Sequence, residues 1–287
     1  MKRYLDLVPI SAKIHRKQSR MSIFCIVLAV FLVTTIFGMA DMFVRSQIVQ
    51  ARLDGGNFHA ALRYITDEEA FLIAQRPEIK AAARYGVLNY RGEDGYTLSG
   101  KTAVIMGCDE PFVTDMMVDG IVEGNFPQTE SEIMLTQSAK ARLGFQVGDT
   151  IVMDGPDDKK LSYMISGFCK DTIKTTSEDS LGAAITTEAF RTIYPAVKNE
   201  TLEDYDSVFY IQFENPWKAR QEISDLKADC GLSDDQIYEN VKLLGMYGQS
   251  DSSQMMQIYA VAAALFALVL AAGVMMIASS LNSNVAQ

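Results

Sequence analysis

The chain has 287 residues, 48% of them hydrophobic, with a formal net charge of −10, two histidines and four cysteines. An acidic balance of this size offers no basic surface for nucleic acid, and it reads as solubility and self-repulsion of a folded domain. A His-based triad or His-rich zinc site outside the first apolar run would have to use His59 alone, and no CxxC spacing exists for a thiolate metal site, so no metal and no cofactor is expected.

Residues 1–20 hold Lys2, Arg3, Lys13, Arg16, Lys17 and Arg20 against Asp6 alone. Pro9 suits the first turn of a helix, after which Lys13, Arg16, Lys17 and Arg20 share one face at the level of phospholipid headgroups. Met21 to Ala40 carries no charge, and at about 1.5 Å per residue it is long enough for a hydrocarbon core of roughly 30 Å. This predicts a transmembrane helix over 21–43. Only Arg45 and Arg52 follow closely, so the positive-inside rule puts the amino terminus in the cytoplasm and residues 41–256 outside. A cleaved signal peptide is the rival, because Gly38-Met39-Ala40 has small residues where a peptidase reads them. The apolar run is longer than the about 7–15 residues of a secretory core. Val44, Ile48 and Ala51 keep helical spacing up to Gly55-Gly56, which predicts a stalk beyond the first span.

Asn57–Leu62 reads as the start of a strand with His59 a plain surface histidine. Thr66-Asp67-Glu68-Glu69 opens a helix with a capping pattern, and Pro77 closes it. Strands follow at 85–90 and 102–106. Between them, Gly95-Tyr96-Thr97-Leu98-Ser99-Gly100-Lys101-Thr102 matches the nucleotide-binding pattern GxxxxGK[ST]. That chemistry needs a buried strand before the loop and a helix after it. Here a polar turn precedes the loop and β-branched residues follow, so a glycine-rich hairpin turn is expected.

Glu132–Thr136 reads as a strand, 138–143 as a short helix capped by Gly144, and 150–154 with 161–166 as a hairpin. Residues 187–194 read as helix, 207–213 as strand, and 217–230 as an amphipathic helix ended by Gly231. Cys108, Cys169 and Cys230 leave open one disulfide with a free thiol, or none. Ile258–Leu281 is a second uncharged run, predicting a span over 257–281, with 282–287 starting a cytoplasmic segment.

Glu123-Gly124-Asn125-Phe126-Pro127, Glu132-Ile133-Met134-Leu135, Ala139, Ala141-Arg142-Leu143-Gly144, Val147-Gly148-Asp149-Thr150-Ile151 and Ile165-Ser166-Gly167-Phe168 with Asp171 together resemble the extracytoplasmic core domain of MacB/FtsX-type ABC transporter permeases. Physically, Gly124 and Pro127 set a turn and Gly144 and Gly148 supply backbone freedom, so these positions, with Phe126, Glu132, Leu143, Asp149 and Gly167, read as fold-forming and not catalytic.

The resemblance implies an α+β ectodomain at 44–256, with a mixed α/β porter-like part and a β-rich sabre-like part at about 107–186, between two transmembrane α-helices. It implies a non-enzymatic permease subunit in the cell membrane, paired with a second permease half or itself and served by a separate cytoplasmic ABC ATPase. In that family ATP-driven closure moves the spans and stalks and so rearranges the external domain, for substrates that include peptides, antibiotics, toxins and lipoproteins. Val44 and Ile48, with Leu243, Leu244 and Tyr247 before the second span, are the candidate coupling residues. Such permeases continue with two further spans, so the chain reads as an amino-terminal part. A two-span sensor with an external ligand-binding domain shares the outline, and the sequence after Gln287 would separate the two. An anchored hydrolase lacks GxSxG and HExxH.

Overall fold

The computed structural model describes residues 16–172, 179–194, 207–249 and 253–285. The expected helix start at Pro9 and Lys13 lies outside them. The chain divides into two compact units, residues 49–250 and residues 1–48 with 251–287.

The second of these is helical. Helix α1 runs from Arg16 to Gly55 and passes from this unit into the other after Ile48. The carboxy-terminal helix covers Ser253–Val285. Phe37 of α1 meets Phe266 edge to face, with ring centroids 5.3 Å apart. Among the described residues no helix is long and apolar enough to cross a membrane. The uncharged runs 21–40 and 258–281 pass through side chains outside that set, those of Met21, Ser22, Cys25 and Ile26 among them.

The described residues of 49–250 form a mixed α/β domain on one sheet of eleven strands. Its strands are β1 (Ala60–Arg63), β2 (Ile79–Leu88), β3 (Thr97–Leu98), β4 (Lys101–Cys108), β5 (Ile121–Gly124), β6 (Glu132–Thr136), β7 (Thr150–Asp154), β8 (Lys160–Cys169), β9 (Ser180–Thr186), β10 (Val208–Phe213) and β11 (Ile237–Glu239). The order β11-β1-β10-β2-β4 forms an open wing whose strands come from both ends of the domain. From β4 the path runs through β3, β7, β8, β6 and β9, and β9 pairs back onto β4 in parallel, from Thr102↔Ser180 to Cys108↔Thr186. Six strands therefore close into a ring that has no free edge of its own, while the wing still ends at β11.

Strand alternation sorts the side chains into separate cores. Ala103, Ile105, Ile133, Leu135, Ile151, Met153, Ile165 and Leu181 share one. The intervening Met106, Met134 and Ala184 turn to another, with Phe58, Tyr85 and Phe112. A third core lies under the wing, where Leu62, Phe209, Ile211 and Phe213 meet Ala70 and Ile73 of helix α2 (Asp67–Ala74) and Ile223 and Leu226 of helix α5 (Ala219–Cys230). Two shorter helices, α3 (Gln137–Leu143) and α4 (Thr187–Ile193), lie between in sequence.

Local signals hold where they were strongest. Thr66 and Glu69 make the full capping box of α2. Gly144 (φ 73°) and Gly231 (φ 64°) close α3 and α5 in the left-handed region that favours glycine. The glycine-rich motif is a hairpin turn: Ser99 (φ 51°) and Gly100 (φ 76°) join β3 to β4, and Lys101 opens a strand instead of a helix.

One expectation is corrected. His59 is not a surface histidine but 2% exposed, and its Nδ1 accepts a hydrogen bond from the Phe213 amide at 2.9 Å. Of the two cysteine alternatives left open, the unpaired one is found among the described residues: Cys108, Cys169 and Cys230 are free thiols, the first two buried.

Candidate functional site

The end of α1 and the segment before the carboxy-terminal helix meet inside the 49–250 domain, and their residues define the junction. Ala51 is fully buried on the last turns of α1. Gly56 has φ 90°, so the helix stops there and the chain turns into β1. Helix α6 (Val241–Met246) follows β11, and Asn240 caps it by accepting from the Leu243 amide at 3.2 Å. The same Asn240 donates through Nδ2 to the carbonyls of Gly56 (3.2 Å) and Phe58 (3.0 Å), and its own amide donates to His59 O. Lys242 pairs with Asp54 at 2.5 Å, and Arg52 donates to the Tyr247 hydroxyl at 2.7 Å. Hydrogen bonds from Lys242 and Gln50 hold the Asp54 carboxyl below its ordinary range. Two buried polar atoms here, Arg52 Nε and Asn57 Oδ1, have no hydrogen-bond partner among the described residues.

The candidate coupling residues separate on this frame. Val44 is exposed and Ile48 half-buried on α1. Leu243 and Leu244 are fully buried, Leu244 within the core under the wing, and Tyr247 is 8% exposed against the ring of Trp217. Gly248 (φ 71°) turns the chain after α6, so Leu243 and Leu244 lie in a short packed helix of their own and Tyr247 caps its end.

The family-like motif residues come together in the ring. A Cβ on Gly124 (φ 74°) would stand 2.3 Å from Ser166 O, and one on Gly167 would stand 2.6 Å from Glu123 O. Both glycines are needed for this close approach of β5 to β8. Phe126 and Pro127 are buried beside it, and the Glu132 carboxylate accepts from the Gln128 and Thr129 amides, bracing the turn. Asp149 accepts from the Gln146 amide at 2.8 Å, Gly148 donates to Ile165 O at 2.8 Å, and Leu143 packs on the ring core. Asp171 accepts from the amide and hydroxyl of Ser138 at the start of α3. Each of these contacts shapes backbone and presents no reactive group.

Beside the junction lies a cleft of about 780 Å³. Arg52–Gly56 form one wall, and Phe58, Tyr85, Phe112, Met116 and Tyr210 form the floor. Phe112 and Met116 project from a π-helical turn at Phe112–Met116, tied to the end of α1 by the Asn57 amide on Met116 O at 2.7 Å. Sequence patterning gives no signal for a turn this rare. It also passes over Asn240, whose place before an apolar helical stretch was the available sign of a cap.

Among the described residues no group of three or more His, Cys, Asp or Glu side chains is placed to hold a metal ion. Burial pushes the Cys108 thiol well up and that of Cys169 to about 12, so neither is a nucleophile at neutral pH.

Residues 19–228 match the family described as the MacB-like periplasmic core domain. Among solved structures, the periplasmic region of MacB from Actinobacillus actinomycetemcomitans is similar at 13% identity and a TM-score of 0.42, over 66% of this chain and 91% of that one. The extracellular domain of the noncanonic ABC-type transporter YknZ from Gram-positive bacteria is similar at 10% identity and a TM-score of 0.44, over 64% and 99%. No curated protein matches the sequence. The family assignment rests on the domain match.

Proposed function

We propose, for a chain that belongs to the MacB-like periplasmic core domain family, that it works as a permease subunit of an ABC transporter and carries motion between two membrane helices and an external domain. On this reading residues 21–43 and 257–281 cross the cell membrane, the amino terminus is cytoplasmic, and 41–256 is outside. A separate cytoplasmic ABC ATPase hydrolyses ATP, and a second permease half or a second copy completes the transporter. The chain itself does no hydrolysis.

One observation carries the coupling part of this reading. Arg52, Asp54 and Gly56 at the end of α1 are bonded to Tyr247, Lys242 and Asn240, which lie 184 to 195 positions further along the chain. A displacement of the α1 end within the domain therefore reaches the segment leading to the carboxy-terminal helix without crossing a flexible linker.

Topology is tested by thiol labelling of intact cells with an impermeant reagent. Cys230, which is exposed, should react while buried Cys108 and Cys169 do not; protection of Cys230 until the membrane is opened would reverse the orientation. Coupling is tested with Ile48→Pro in the full-length protein with its ATPase partner, because a proline inside a helix costs about 3 kcal/mol and kinks it. Wild type should show an ATP-dependent change in hydrogen exchange at 240–249, and the variant should lose it while ATP hydrolysis continues. An unchanged response in the variant would remove α1 from the coupling path.

A further inference from the structure

We propose that the cleft beside the junction is a binding site for the uncharged alkyl chain of an amphiphile. Its size lies within the roughly 300–1,000 Å³ of small-molecule sites, and its lining is the apolar kind such sites use. Four rings form the floor: Tyr85 stacks on Phe112 at 4.3 Å, Phe58 stands edge-on to Tyr210 at 4.6 Å, and Tyr210 lies 5.6 Å from Phe112. Met116 and Met117 add thioethers, which adapt to irregular flexible chains better than branched residues do. Two of these residues, Phe112 and Met116, come from the π-helical turn, a distortion that recurs at functional sites.

The charged groups around the cleft select the ligand class. Asp54 is held by Lys242 and Gln50, Asp171 by Ser138, Lys170 by Val118 O and Asp119, and Arg52 by Tyr247. Asp54, Asp171 and Lys170 are already engaged with this protein's own atoms, and Arg52 through one nitrogen, so a charged ligand finds only the buried Arg52 Nε open to it. A neutral chain gains apolar contact and breaks none. Its other consequence is mechanical: an occupant would touch Leu53 and Gly56, the residues that end α1. The site stands independently of transport, and its test uses neither ATPase nor substrate flux.

The test is photolabelling of the full chain in nanodiscs with a twelve-carbon alcohol carrying a diazirine, followed by peptide mapping. Labelling should saturate, be displaced by unlabelled dodecanol, and fall on peptides holding Phe112–Val118 and Arg52–Phe58. The matching carboxylate and trimethylammonium probes should label these peptides about tenfold less. Met117→Glu should lower labelling by the alcohol probe about tenfold, whereas Met117→Leu should keep it. The emission of Trp217, the single tryptophan, reports the fold of each variant. Should Met117→Glu unfold, saturation and displacement in the wild type decide alone. Labelling that does not saturate, or that falls equally on exposed Phe71 and Leu72, would overturn the site. A photoreactive phospholipid in the same nanodiscs separates the sources: cleft labelling by it makes the chain a bilayer lipid's, and labelling by the alcohol alone makes it a soluble amphiphile's.

Discussion

The 49–250 domain and the two long helices dispose of apolar side chains in opposite ways. In the domain, Leu62, Ile133, Phe168 and Phe213 are at most 1% exposed, packed in cores fed by alternating strand faces. On the helices, Ile23, Phe24, Val27, Val261, Leu265 and Leu268 are each 60% exposed or more. Water tolerates scattered apolar residues but not runs of them, and this is the physical reason for proposing a second solvent around the helices. The contrast is what supports the proposed spans, and three measurements bear on it.

The largest effect should come from glycine. Gly124→Ala places a Cβ against Ser166 O in a left-handed backbone, and the domain should lose about 3 kcal/mol or more of stability. Gly38→Ala meets nothing within 4 Å on α1 and should be neutral or stabilising by about 1 kcal/mol or less. Equal losses at the two positions, measured by thermal unfolding in detergent, would erase the distinction between a packed interior and a surface without neighbours.

Next comes pH. Burial, and then the charges of Arg52 and Lys80, push His59 down from 6.5 to about 4. Between these values the unfolded chain binds a proton that the folded chain does not. Its contribution is therefore complete above pH 6.5, declines as pH falls toward 4 and levels off below, roughly 3 kcal/mol in all. The stability gap between wild type and His59→Gln should shrink on going from pH 7 to pH 4.5. A gap that stays constant would mean that His59 is not held neutral by its surroundings.

The smallest effect belongs to the junction's outer ion pair. Asp54 and Lys242 are about half exposed and screened by solvent, so Lys242→Ala should leave the unfolding temperature nearly unchanged. It should nonetheless raise the Asp54 pKa, visible by NMR, because Lys242 is the first cause of its depression. No movement would mean that the pair does not persist in solution.

Caps, turns and most strands were legible in the sequence because each depends on residues a few positions apart. Strand β9 was not: all seven of its residues are buried, since β4 and β6 flank it and cores cover both faces, so the alternation that marks a half-exposed strand is missing. Strand β5, only four residues long, was passed over in the same way. His59 was misread because its partner, the Phe213 amide, lies 154 residues away.

The sequence by itself determined the charge asymmetry about Met21–Ala40, the two uncharged runs, the family-like turns around Gly124 and Gly148, and the strand-forming character of Thr102–Met106. These follow from local sterics, periodicity and composition. Only the tertiary structure decided that β9 closes a ring on β4, that Asn240 ties the end of α1 to α6, and that a π-helical turn opens an aromatic cleft beside them. Each of those depends on which distant segments meet, and pairing between residues 78 or 184 positions apart leaves no periodic trace in either partner alone.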